Sequence, residues 1–282
     1  MPLISAHALA ACLDDPGVRI LDARFSLADA DAGRAAYAHG HIAGAHYLDL
    51  NHDLSGPKSD PRLGRHPLPS EAHWQAVLER LGIRPDDRVV VYDAADGAMA
   101  AARAWFLFTL CGHADVAVLD GGLQAWQALG LPLEGAEAGP VPESRYPVRY
   151  RGELLVSADE LQRALREGEQ AVLLDARAPE RFRGDIEPLD TKAGHIPGAL
   201  NRPFSENLQD GRFKPAAALH VEFTALTGGR SDILLSCGSG VTACHNALAL
   251  AQAGISGWRL FAPSWSGWIA DPENPVATGD AG

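Results

Sequence analysis

The stretch ILLSCGSGVTACHNALAL, residues 233–250, hangs a thiol at the end of a short apolar run and follows it with glycines on either side of a serine. The run Ile233, Leu234, Leu235 predicts a buried strand, and the small and apolar residues from Thr242 onward predict a helix. Cys237 then opens a tight loop, with Gly238, Ser239, Gly240, Val241 and Thr242 wrapping the helix N-terminus. Unpaired N–H groups and the helix dipole favour negative charge at such a place, so the loop would stabilise a thiolate and make Cys237 a nucleophile. The glycines let the backbone come close to the sulfur and adopt positive φ. The competing reading is a small residue that only turns a corner between strand and helix.

An internal repeat bears on that choice. RILDAR at 19–24 returns as LLDAR at 173–177, and GHIAGAHYLDL at 40–50 returns as GHIPGALNRPF at 194–204. DRVVVYD at 87–93 corresponds to SDILLSC at 231–237, and GGLQAW at 121–126 to PSWSGW at 263–268. Features present in both halves belong to the scaffold: Asp22 with Arg24, Asp175 with Arg177, His41, His195 and the Trp126 and Trp268 positions. Features present in one half are candidates for function. The first half has Asp93 where the second has Cys237, and AADGAMAAAR after it lacks the Gly-Ser-Gly turn. The first half also holds about ten extra residues, which fall in the Pro- and Gly-rich segment DLSGPKSDPRLGRHPLPS, 53–70.

Each half alternates short apolar runs with amphipathic stretches such as Glu71 to Leu81 and Ala158 to Arg166, the pattern of an α/β domain whose parallel strands are joined by helices. The segment 131–150, with four prolines and no periodicity, reads as an exposed linker. The expected division is residues 1–138, a linker at 139–149, and residues 150–282. Ligands of such sheets sit beyond the carboxyl ends of the strands, where Cys237 lies.

Composition narrows the function. A net charge of −12 over 282 residues argues against nucleic acid or an acidic membrane surface as partner, leaving a small anionic ligand in a local pocket. No run approaches the ~20 apolar residues of a membrane span, and the first residues lack a basic leader. Cys12, Cys111, Cys237 and Cys244 show neither a CxxC nor a framework spacing, which points to free thiols in the cytoplasm and against a metal site. Cys244, Cys12 and Cys111 are expected to pack in the core.

With the duplicated D-A-R and G-H-I-x-G-A motifs and the loop CGSGVT, the chain resembles the tandem rhodanese-type sulfurtransferases over nearly its whole length. The resemblance implies two rhodanese-like domains, an inactive first and a catalytic second. The loop CGSGVT resembles that of the members acting on 3-mercaptopyruvate, while members using thiosulfate carry basic residues after the cysteine. The implied reaction moves sulfur from the donor to Cys237 as a persulfide, releases pyruvate, and passes the sulfur to cyanide, a small thiol or thioredoxin, with no cofactor. Arg181 stands where a carboxylate-binding arginine is expected. The second arginine of that family subsite is Asp190 here, and Arg183 or Lys192 could compensate. A Ser-His-acid relay would map to Ser239 and His66, with Asn51 at the acid position and Asp49 and Asp53 beside it. Trp265 could wall the pocket. Two rivals remain: a Cys-x5-Arg phosphatase, which the alanine at position 243 opposes, and a sulfur carrier that does not turn over.

Overall fold

The computed structural model describes residues 1–94, 100–135, 139, 141–167 and 171–280. The turn after Asp93 and the expected boundary at residue 138 fall partly or wholly outside the described residues, as do the last two residues of the chain. The chain divides into two compact units, residues 1–56 with 69–151, and residues 57–68 with 152–282.

In the first unit, strands β1 (Leu3–Ile4), β2 (Val18–Asp22), β3 (Ala45–Tyr47), β4 (Arg88–Tyr92) and β5 (Val116–Leu119) form one sheet in the order β1-β5-β4-β2-β3. Every pairing is parallel. β4 reads RVVVY without alternation, as a strand covered on both faces must. The helix Ala100–Leu110 is buried almost all round, so its sequence shows little amphipathic pattern. The helix Glu71–Arg80 opens on Ser70, whose hydroxyl accepts the His73 N–H. Ile20, Val90, Tyr92, Leu119 and Trp126 pack in one core.

In the second unit, β6 (Ala171–Asp175), β7 (Ala199–Asn201), β10 (Asp232–Ser236) and β11 (Trp258–Leu260) form a parallel sheet in the order β11-β10-β6-β7, and β8 (Leu208–Gln209) pairs with β9 (Arg212–Phe213) in a small antiparallel ribbon. β10 is central, with Leu235 opposite Leu174 on one side and Leu260 on the other. Helices Ala158–Glu167, Ala216–Thr227 and Ala243–Gln252 accompany this sheet. Leu173, Leu234, Phe261, Trp265 and Trp268 share its core.

The repeated motifs do the same work in each unit. Arg24 donates to the Asp22 carboxylate and the Gly40 carbonyl; Arg177 donates to Asp175 and the Gly194 carbonyl. His41 Nδ1 lies 2.8 Å from the Tyr37 carbonyl and His195 Nδ1 2.7 Å from that of Phe182, each ring stacked on the aromatic side chain of that residue. Trp126 and Trp268 donate their indole N–H to the carbonyls of Pro132 and Pro275.

Two features depart from the sequence reading. The 131–150 stretch is not uniformly exposed: Tyr146 and Val148 are 3% and 4% exposed, and the Tyr146 hydroxyl lies 2.7 Å from His113 Nδ1. Pro132, Pro142 and Pro147 set an irregular path, which erased periodicity without removing burial. The extra residues of the first half belong in part to the second unit, where Gly64, with φ +81°, brings its backbone against the Pro263 carbonyl and the Arg65 N–H donates to Ser266 Oγ at 3.0 Å. Among the described residues, no helix is long and apolar enough to cross a membrane.

Candidate active site

β10 delivers Cys237 at its carboxyl end, and the helix Ala243–Gln252 begins six residues later, after Thr242 as cap. The sulfur is 1% exposed and accepts the Gly240 N–H at 3.1 Å, so the loop curls back onto its own first residue. The loop is anchored from outside: the Cys237 and Gly238 carbonyls accept the N–H groups of Trp265 and Ser266 at 2.9 Å. Cys244 is fully buried, with its thiol donating to the Gly240 carbonyl.

Gly240 shows why that position admits no side chain. Its φ is +76°, and a Cβ there would lie 2.3 Å from the Ala262 carbonyl oxygen. Backbone strain at such a position together with an overlap against main chain costs more than about 2 kcal/mol. Gly240→Ala is therefore expected to lower the unfolding midpoint measurably; an unchanged midpoint in thermal unfolding would show that the loop can re-form without this turn.

Ser264 is a functional candidate that sequence reasoning missed. It accepts the Cys237 N–H at 3.1 Å, donates to the Phe261 carbonyl at 3.0 Å, and places Oγ 3.9 Å from the Cys237 sulfur. It holds this position at φ +52°, where the corresponding residue of the first unit is Gly122 at φ +58°. A serine in a conformation its own repeat gives to glycine ties the turn, through the Phe261 carbonyl, to the backbone that carries the thiol. The aligned GGLQAW and PSWSGW motifs carried that signal.

Arg181 projects from the short helix Pro179–Arg183, and its guanidinium grips Glu187 at 2.7 Å and approaches Asp190 at 3.4 Å. Burial raises the Glu187 pKa, but the hydrogen bonds from Arg181 and from the Leu189 and Asp190 N–H groups outweigh it and hold the carboxyl below its ordinary range. Arg177 lies one step deeper, bonded to Asp175, paired with Glu187 and 5.0 Å over the Trp265 ring. Burial opposes its charge, and Asp175, Glu187 and the nearby Cys237 together raise its pKa above the usual arginine value. Trp265 is fully buried, so it supports the site from the core rather than lining an open pocket.

His66 is 5% exposed, and its Nδ1 lies 2.8 Å from Ser239 Oγ. Asp49 accepts the Asn51 and His52 N–H groups, and Asp53 accepts the Asp49 N–H and pairs with Arg80, so both carboxylates are engaged locally. Lys192 is exposed; its contribution here is a carbonyl that accepts the Trp265 indole N–H at 2.9 Å. Arg183 pairs with Asp185. Position 190 carries an acid bound to Arg65, a residue that sequence reasoning passed over. Among the described residues, no group of three or more His, Cys, Asp or Glu side chains is placed to hold a metal ion.

The rhodanese-like domain model matches residues 5–129 and again 157–271. A Pseudomonas aeruginosa protein named "Probable 3-mercaptopyruvate sulfurtransferase" is 49% identical over 99% of this chain and 98% of its own. The SseB protein of Mycobacterium tuberculosis, named as a candidate thiosulfate sulfurtransferase, is 44% identical over 99% of this chain and 98% of its own. The crystal structure of SseA, a 3-mercaptopyruvate sulfurtransferase of Escherichia coli, superposes with a TM-score of 0.82 at 33% identity, covering 94% of this chain and 99% of that one. The chain thus belongs to the rhodanese-like family as a protein with two such domains, related along its whole length to the sulfurtransferases.

Proposed function

We propose that the protein is a 3-mercaptopyruvate sulfurtransferase working through a persulfide on Cys237, with the second unit catalytic and the first, which has Asp93 at the matching position, inactive. The observation that carries this reading is the buried Cys237 whose sulfur accepts the Gly240 N–H in a loop without basic side chains, with the Arg181 guanidinium facing Gly238. In the first step the Cys237 thiolate attacks the sulfur of 3-mercaptopyruvate. The S–S bond forms as the C–S bond breaks, the electron pair leaves with carbon as the pyruvate enolate, and the proton of the donor thiol ends on that carbon as pyruvate departs. Ser239, hydrogen-bonded with His66, stands where it can pass that proton. In the second step an acceptor nucleophile, cyanide, a small thiol or thioredoxin, takes the outer sulfur and returns the Cys237 thiolate.

The loop segment Gly238 to Thr242 cradles the anionic persulfide, and Arg181 receives the donor's carboxylate. Nucleophile, N–H donors and cations all come from the chain, so the reaction needs no metal or organic cofactor. The four cysteines are free, in keeping with a reducing compartment, and we place the enzyme in the cytoplasm, without nucleic-acid or membrane partners.

The thiosulfate activity in the name of the 44% identical relative is the second reading. Rates of sulfur transfer to cyanide with 3-mercaptopyruvate and with thiosulfate, measured on one preparation, separate the two. A preference for mercaptopyruvate of about a hundredfold or more in kcat/KM is expected. A preference for thiosulfate would reverse the donor assignment, and turnover of neither would favour a sulfur carrier.

A further inference from the structure

We propose that Arg65 is the second carboxylate-binding cation of this site, and that Asp190 serves to aim it. The inference rests on the reading of the donor as a small 2-oxo acid. Position 190 holds an aspartate where the family resemblance leads one to expect an arginine, and that acid lies with its side chain only 4% exposed. A buried carboxylate is stable only when paired. Its partner is Arg65 Nη1, supplied by the 57–68 segment that belongs to this unit although it comes from the first half of the chain.

The remaining guanidinium nitrogens give the pair its use. A Cβ built on Gly238, the residue after the nucleophile, would lie 3.1 Å from Arg65 Nη2, 3.5 Å from Arg181 Nη2 and 3.6 Å from Arg181 Nη1, so the end of each guanidinium faces the loop. Among the described residues, the side-chain hydrogen bonds of both arginines run through other nitrogens than Arg65 Nη2 and Arg181 Nη1. Each arginine is instead fixed through its other nitrogens: Arg65 through Asp190, and Arg181 through Glu187 and Asp190. The Arg65 backbone is pinned as well, its N–H donating to Ser266 Oγ at 3.0 Å. Two donors held from behind and converging over Gly238 form a fork for one planar carboxylate next to the sulfur. Glycine at 238 keeps the approach to that fork open. The geometry also explains how Asp190 is tolerated: it orients both arginines while leaving one nitrogen of each to face the loop.

An alternative role for Arg65 is to neutralise Asp190 and nothing more. Steady-state kinetics of Arg65→Ala and of the double variant Arg65→Ala with Asp190→Asn, each read against Asp190→Asn alone, separate the roles, because the double variant removes the pair together and the single Asp190→Asn variant reports what Asp190 contributes through Arg181. The expected result is a KM for 3-mercaptopyruvate raised tenfold or more in both variants, with a smaller change in kcat. A wild-type KM in the double variant would overturn the proposal. If the wild-type protein does not turn over 3-mercaptopyruvate, the donor assignment fails, and the fork is tested by calorimetric titration with pyruvate. Binding that weakens tenfold or more in the double variant supports the fork, whereas equal binding, or none by wild type, overturns it.

Discussion

Cys237→Ser is expected to lower sulfur transfer to any acceptor by at least about a thousandfold while leaving the fold intact. A serine hydroxyl fits the space of the buried thiol and can still accept the Gly240 N–H. It cannot be ionised near neutral pH by one N–H donor, and it forms no bond to sulfur that an acceptor could later open. Two measurements check this together. Wild-type protein exposed to 3-mercaptopyruvate should gain the mass of one sulfur atom, and the variant should gain none. Thermal midpoints should agree within about 2 °C, since a near-isosteric exchange leaves packing unchanged. Sulfur gained by the serine variant would move the nucleophile elsewhere, with Cys244 and its bond to the Gly240 carbonyl the first place to look.

The largest effect on stability is expected at Arg177 rather than at the loop. Its side chain is 1% exposed, and it is bonded to Asp175 and paired with Glu187, both equally buried. Arg177→Ala would leave these carboxylates with one buried cation fewer, and removing one partner of such a pair costs about 3–5 kcal/mol. The unfolding midpoint in urea should fall accordingly. Arg181→Ala should cost less, because Arg181 is more exposed and Glu187 retains Arg177. The pH dependence has a definite sign. Glu187 has a lowered pKa when folded, so its contribution is present above the ordinary carboxylate range and disappears as pH falls through the lower, folded value. Burial works against that shift and Arg181 supplies the largest contribution in its favour, so the Arg181→Ala variant should lose less stability on acidification than wild type does. Equal acid sensitivity in both would show that Arg181 takes no part in holding Glu187 ionised.

The legible part of this protein was local or repeated. A strand ending in cysteine, a Gly-Ser-Gly turn and a helix can be read from a short stretch, because strand and helix periodicities and the freedom of glycine act over a few residues. The duplication added an internal control: residues such as Asp22 and Asp175 recur in equivalent structural pairs, and Cys237 has no counterpart. The same control would have exposed Ser264 through Gly122, had backbone conformation been asked of that pair.

What the amino-acid sequence determined by itself is the α/β repeat and the loop at Cys237, whereas the expectations at Arg181 and at Ser239 with His66 came with the family resemblance. Only the tertiary structure decided that residues 57–68 belong to the second unit and that Arg65 meets Asp190 across 125 residues of chain. Such contacts join an irregular loop to distant residues. Closing long loops costs an entropy that grows only slowly with their length, so residues far apart in the chain can meet without any periodic pattern to announce it.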